Sequence, residues 1–139
     1  MKKEFLMITN QPLCLLQTAD MEKIKKVSNS SNPVTIYCDL QAKLGDCPGF
    51  IATQKNSAQP EEIVVVADTT YTVFIGNIEF ISMDCLDNAI IVALALHIVF
   101  KQPFAENCQR LAGFMQLITK NKFVEKPGKM TNIVYNNLF

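Results

Sequence analysis

Ile63-Val64-Val65-Val66-Ala67-Asp68-Thr69-Thr70-Tyr71-Thr72-Val73-Phe74-Ile75-Gly76-Asn77-Ile78-Glu79-Phe80-Ile81-Ser82 is the stretch whose reading decides the fold. Its first five residues form a continuous apolar, mostly β-branched run, as in a strand buried on both faces. Asp68-Thr69-Thr70 turn the chain into Tyr71–Ile75. Gly76-Asn77 then stand between two apolar runs, and both residue types tolerate the positive φ of a primed hairpin turn. The stretch therefore predicts three antiparallel strands in a meander. A meander needs a cover for its apolar face.

That cover follows at once in the chain. Leu86 to Phe100 is apolar at nearly every position, which predicts a helix enclosed on most sides. Asp84 reads as its N-cap and Asp87 as a second acid at the positive end of the helix dipole. Gln102-Pro103 ends it, because the residue before proline resists the helical region. A second helix is expected over Phe104–Lys120. Phe104, Cys108, Leu111, Met115 and Ile118 share one face there, and Glu106, Gln109, Arg110 and Lys120 fall largely elsewhere. Gly113 inside it costs about 1 kcal/mol relative to alanine, so a close neighbour such as Ala89, Ala93 or the sheet is expected. The predicted fold class is α+β, an antiparallel β-meander packed against a C-terminal helical hairpin.

Around this centre the whole chain, residues 1–139, reads as a single domain. Residues 1–49 look irregular. They hold a short helix over Asp20–Val27 capped by Thr18 or Asp20, a breaker at Ser28–Pro33, a strand at Val34–Cys38 and a loop at Leu44–Gly49. Residues 50–120 carry the meander and the helix pair, with a further short strand at Phe50–Thr53 and a polar loop at Gln54–Pro60. The tail, 121–139, breaks at Pro127-Gly128. It ends in Ile133–Phe139, a short helix or a docked extended segment.

The length, 139 residues, suits one folding unit of roughly 100–200 residues. Hydrophobic residues at 49% and charged residues at 19% exclude a disordered or linker-like chain. A formal net charge of zero and a lone arginine, Arg110, argue against nucleic acid and acidic membranes as partners. Met1–Ile8 starts like a secretory signal, but Thr9-Asn10-Gln11-Pro12 interrupts it before an apolar core of about 7–15 residues is complete. The run Ala89–Phe100 is shorter than the ~20 residues needed to cross a bilayer. Five cysteines, Cys14, Cys38, Cys47, Cys85 and Cys108, are an odd and scattered set. They read as reduced thiols of a cytoplasmic or nuclear protein. The Asn29-Ser30-Ser31 sequon then has no role.

Each candidate for chemistry has a plainer reading. His97 is the sole histidine, and a Cys–His centre would need Cys38, Cys47, Cys85 or Cys108 within hydrogen-bond reach together with a third, orienting group. A hydrogen-bonded core histidine is the simpler expectation. Cys38 and Cys47, with Asp39 and Asp46 between them, lack the tight paired spacing of a structural zinc site. Asp84 and Asp87, as paired carboxylates, are accounted for by capping. Lys23, Lys25 and Lys26, beside Asp20 and Glu22, read as a solvated face. No phosphate-binding, nucleophile-elbow or zinc-protease motif is present. No catalytic, cofactor-binding or metal residue is therefore assigned.

Several segments together carry a resemblance. They are Phe50-Ile51-Ala52, Ile63–Asp68, Phe80–Ile90, Leu96-His97-Ile98-Val99-Phe100 and Leu111–Ile118. The arrangement resembles an uncharacterised C-terminal α+β domain of transposon-like animal proteins, some of which also carry sterile-alpha-motif regions. The shared features are an aliphatic strand pair, an apolar helix closing on His97-x-Val99-Phe100, and a second helix with Phe114-x-Gln116 at its core. Where that family has a Tyr-Pro step between the helices, this chain has Gln102-Pro103 followed by Phe104. The resemblance covers roughly residues 50–120 and implies no activity, cofactor or catalytic residue. The functional expectation is a non-catalytic interaction or assembly module; the alternative is an enzyme with a Cys–His centre. Phe114 and Leu117 widen the apolar stripe of the second helix. A homodimer or protein partner is therefore expected unless Phe123, Tyr135, Leu138 and Phe139 cover that stripe within the chain.

Overall fold

The computed structural model describes residues 7–8, 11–56 and 59–139, with side chains from Leu13 onward. Of the signal-like start at Met1–Ile8, residues 1–6 lie outside them. The meander forms as the sequence predicts: β2 (Ile63–Ala67), β3 (Tyr71–Ile75) and β4 (Ile78–Met83) are consecutive antiparallel neighbours. Ile75 pairs with Ile78 across the Gly76-Asn77 turn. Gly76 alone takes a positive φ there, 60°, which makes this the primed turn that places glycine first. A register shift follows, with Val73 opposite Ile81 and Phe74 opposite Glu79, so Phe80 is the extra residue of a β-bulge.

The sheet is not purely antiparallel, as the sequence suggested. A two-residue strand, β1 (Ile51–Ala52), joins the far edge of β2 in parallel, with Ile51 opposite Val65 and Ala52 opposite Val66. The order β1-β2-β3-β4 leaves β4 as one edge of a mixed four-stranded sheet. Met7–Ile8 and Gln11–Pro12 form a separate antiparallel ladder near the N-terminus.

Among the described residues, the part of the chain before residue 50, read as irregular, is largely helical. It contains α1 (Thr18–Ile24), a 3-10 turn over Lys25–Val27, and α2 (Pro33–Leu44). The N-cap of α1 is Gln17, not Thr18 or Asp20. The strand expected at Val34–Cys38 is the first half of α2. Asn32 Oδ1 accepts the N–H groups of Val34 at 2.9 Å and Thr35 at 3.3 Å, and Pro33 occupies the first helical position. At the other end Gly45 takes φ 93°, closing the helix in the left-handed region. Caps at both ends and an inward row of Ile36, Tyr37, Leu40 and Leu44 outweigh the strand preference of the β-branched run.

The apolar helix is α3 (Leu86–Val99), and it lies across the sheet with every residue from Ala89 to Leu96 fully buried. Cys85, not Asp84, holds its N-cap position, and its side chain makes no capping hydrogen bond. The second helix, α4 (Gln109–Thr119), starts later than expected, so Phe104 and Cys108 precede it. The tail folds as α5 (Lys129–Leu138). The main chain of α4 approaches α5 and α2 most closely, so the C-terminal helices form a cluster with α2 and not a simple hairpin on the sheet. Gly113 faces Pro127 and Val124, not α3 or the sheet.

The aromatic side chains of the tail cover α4. The ring of Phe114, fully buried, meets Tyr135 at 6.4 Å and Phe139 at 6.2 Å, edge-on in both cases, and those two rings stack at 4.9 Å. Phe114, which widens the apolar stripe of α4, is thus covered within the chain, while Leu117 and Ile118 of the same stripe are half-buried.

Candidate functional site

His97 sits near the C-terminal end of α3, with only 3% of its surface exposed. Its Nδ1 lies 2.9 Å from the Ala93 carbonyl. A carbonyl only accepts, so Nδ1 carries the proton and Nε2 is left as an acceptor. The nearest partner of Nε2 is Sγ of Cys108, at 3.9 Å. The ring of Phe104 lies 4.9 Å from the imidazole, centre to centre, and Phe123 meets Phe104 edge-on at 6.3 Å. Both a main-chain carbonyl and a cysteine are therefore present at His97.

The electrostatics decide what the pair can do. Burial lowers the imidazole below its ordinary value of 6.5, against a smaller opposing effect of the Ala93 bond. Burial pushes the Cys108 thiol up to about 12. Nucleophilic cysteine chemistry needs a thiolate beside an imidazolium. Both groups here are held neutral. The third member of a catalytic set is also missing, since Nδ1 is oriented by a helix carbonyl and not by a carboxylate. A cavity of about 500 Å3 opens beside the ring, lined by Ile63, His97, Gln102, Pro103, Phe104 and Asn107, with Glu61 and Glu62 also on its wall.

A second cavity, about 420 Å3, lies where α1 and α2 meet the start of α3. Tyr37, buried on α2, donates its hydroxyl proton to Oδ1 of Asp87. Cys85 Sγ donates to the other carboxylate oxygen at 3.4 Å. Burial, reinforced by the nearby Asp87 charge, holds the Tyr37 phenol well above its usual range. Burial likewise raises the Cys85 thiol. Asp84 and Asp87 do line one cavity together. Asp87 nevertheless serves as an acceptor joining two elements, where the sequence suggested only capping. The sequence gives no sign of this Tyr37 contact, because the Val34–Cys38 segment reads as a strand.

The other candidates disperse. Cys38 is exposed on α2, and partial desolvation together with nearby Asp39 raises its thiol. Cys47 is exposed and reaches Glu106 Oε2 at 3.9 Å. Among the described residues no group of three His, Cys, Asp or Glu side chains is placed to hold a metal ion. Lys25 pairs with Glu22 at 3.0 Å on the surface, and Lys23 lies over the Phe139 ring at 5.2 Å. Among the described residues no helix is long and apolar enough to cross a membrane.

Three polar side chains hold separate segments together in ways that the sequence does not foretell. Asp46 accepts the N–H groups of Arg110 at 2.8 Å and Leu111 at 2.9 Å, capping α4 from another element, and Gln41 Nε2 donates to it at 3.1 Å. Gln116 Oε1 accepts the N–H groups of Phe123 at 2.7 Å and Val124 at 2.8 Å. Asn121 bonds both main-chain groups of Cys14, accepting at 2.8 Å and donating at 2.7 Å. All three act on main chain, which is structural work. Comparison with family models, with curated proteins and with solved structures found no match for this chain.

Proposed function

We propose that this chain is a non-catalytic protein-interaction or assembly module of a reducing, cytoplasmic or nuclear compartment. The observation that carries this reading is the edge strand β4. It ends the sheet, and it keeps Ile78 73% and Phe80 41% exposed, although the same chain fully buries Ala89 to Leu96 of α3. Edge strands are usually guarded by lysine or proline. This one carries a single charge, Glu79, and relies on its bulge. The resemblance to the C-terminal domain of transposon-like animal proteins supports the same reading, since it brings no catalytic residue with it.

The test is light scattering over a wide concentration range, with amide hydrogen exchange of residues 78–83 at each end of it. Association that protects β4 and is abolished by Ile78→Lys supports the proposal. A monomer whose β4 amides exchange identically at all concentrations counts against assembly through this edge.

The contact between His97 and Cys108 favours a second reading, a Cys–His enzyme. It makes a separate demand, that Cys108 react with iodoacetamide near neutral pH in the folded protein. A thiol held at about 12 and fully buried should instead remain unmodified while exposed Cys38 and Cys47 are alkylated.

A further inference from the structure

The cavity beside His97 has the attributes of a small-molecule site. Its volume, about 500 Å3, falls within the range of ligand pockets, roughly 300–1,000 Å3. Ile63, Pro103, Phe104 and Ala105 supply apolar wall. One wall residue, His97, is a polar side chain almost wholly withdrawn from water. With Nδ1 committed to the Ala93 carbonyl, Nε2 offers a lone pair, and a thiol at 3.9 Å is a weak and distant donor for it. A buried acceptor served this poorly favours a better donor. The Phe104 ring, tilted 34° to the imidazole, gives a flat aromatic surface beside it. Glu61 and Glu62 on the wall disfavour an anion.

We propose that this cavity binds a small, uncharged, planar aromatic molecule carrying one N–H or O–H donor, with its ring against Phe104 and its donor directed to Nε2 of His97. The donor requirement follows from the histidine tautomer, the planar shape from Phe104, and the lack of negative charge from the two glutamates. The proposal is independent of the β4 edge and stands or falls separately.

Indole and indene are the probes, since they share a shape and differ in the N–H. The chain has no tryptophan and one histidine, so indole emission comes from the probe alone and the imidazole nitrogens are a single pair of NMR signals. Indole is expected to bind with emission shifted to shorter wavelength and to move the Nε2 resonance. Indene should bind about tenfold more weakly, the scale of one lost hydrogen bond, and indole-3-acetate more weakly than indole. Replacing the exposed Ala105 on the wall with Phe narrows the site without touching the core, and should abolish binding while leaving the melting temperature unchanged. Equal affinity for indole and indene, or a His97 resonance unmoved at saturating indole, would overturn the proposal.

Discussion

The sheet and the helical cluster of α2, α4 and α5 are held in two different ways. In the meander β2, β3 and β4, each strand pairs with the next one in sequence, and its apolar face is covered by α3, which follows directly. In the cluster, polar side chains reach across long stretches of chain: Asp46 to Arg110 and Leu111, Gln41 to the Asn107 carbonyl, Asn121 to Cys14. The difference teaches where information about the fold resides. Local pairing is written in adjacent residues, whereas remote capping is visible only once two segments have met.

The comparison can be broken or sharpened by substitution. The largest effect is expected from Phe114→Ala in the cluster. It removes a fully buried ring on which Tyr135 and Phe139 rest, and should cost about 3–5 kcal/mol in urea unfolding. A loss below 1 kcal/mol would mean that the tail does not dock on α4 in solution.

Asp46→Ala comes next. It leaves two helix N–H groups and the Gln41 amide without their carboxylate, for about 2 kcal/mol, while Asp46→Asn should restore part of it. A larger effect than that of Phe114→Ala would reverse the ranking of packing over pinning in this region.

In the sheet, Gly76→Ala tests the turn. Its backbone has φ 60°, and an added Cβ would lie 2.5 Å from the Pro60 carbonyl oxygen, so a loss of more than about 1 kcal/mol is expected. Unchanged stability would show that the hairpin is not set by this glycine.

The smallest effect is a pH dependence from His97, where α3 meets the segment leading into α4. Its folded pKa lies below the ordinary 6.5, so between those two values the unfolded chain holds a proton that the folded chain lacks. The contribution of His97 to stability is therefore full above about 6.5. It declines as pH falls below that value and levels off beneath the folded pKa. An NMR titration of the single imidazole alongside thermal melts checks both parts. A midpoint above 6.5 would reverse the sign.

The same division explains how much was legible in the sequence. The Gly76-Asn77 turn, the three strands and the apolar α3 could be read because each signal lies within a few residues. The α2 helix was also marked locally, by Asn32-Pro33 and by Gly45, but the β-branched run Val34-Thr35-Ile36 pointed to a strand. Parallel β1 was anticipated as a strand and not as a partner of β2, since nothing in Phe50–Thr53 specifies the neighbour. His97 was recognised as a core histidine, but not its nearness to Cys108. Tyr37 with Asp87, and Asp46 with α4, are separated by 50 or more positions, and no spacing rule connects them.

Asn121 has a consequence for the order in which the molecule assembles. Its two bonds to the main chain of Cys14 span 107 positions, whereas the meander closes within about two dozen residues. During synthesis β2 to β4 can zip up as soon as they emerge. The segment around Cys14, made earlier than the meander, must wait until α4 and Asn121 have followed. A segment translated well before its partner is therefore among the last to be secured, and its apolar residues Leu13 and Leu16 stay accessible to chaperones for most of that interval.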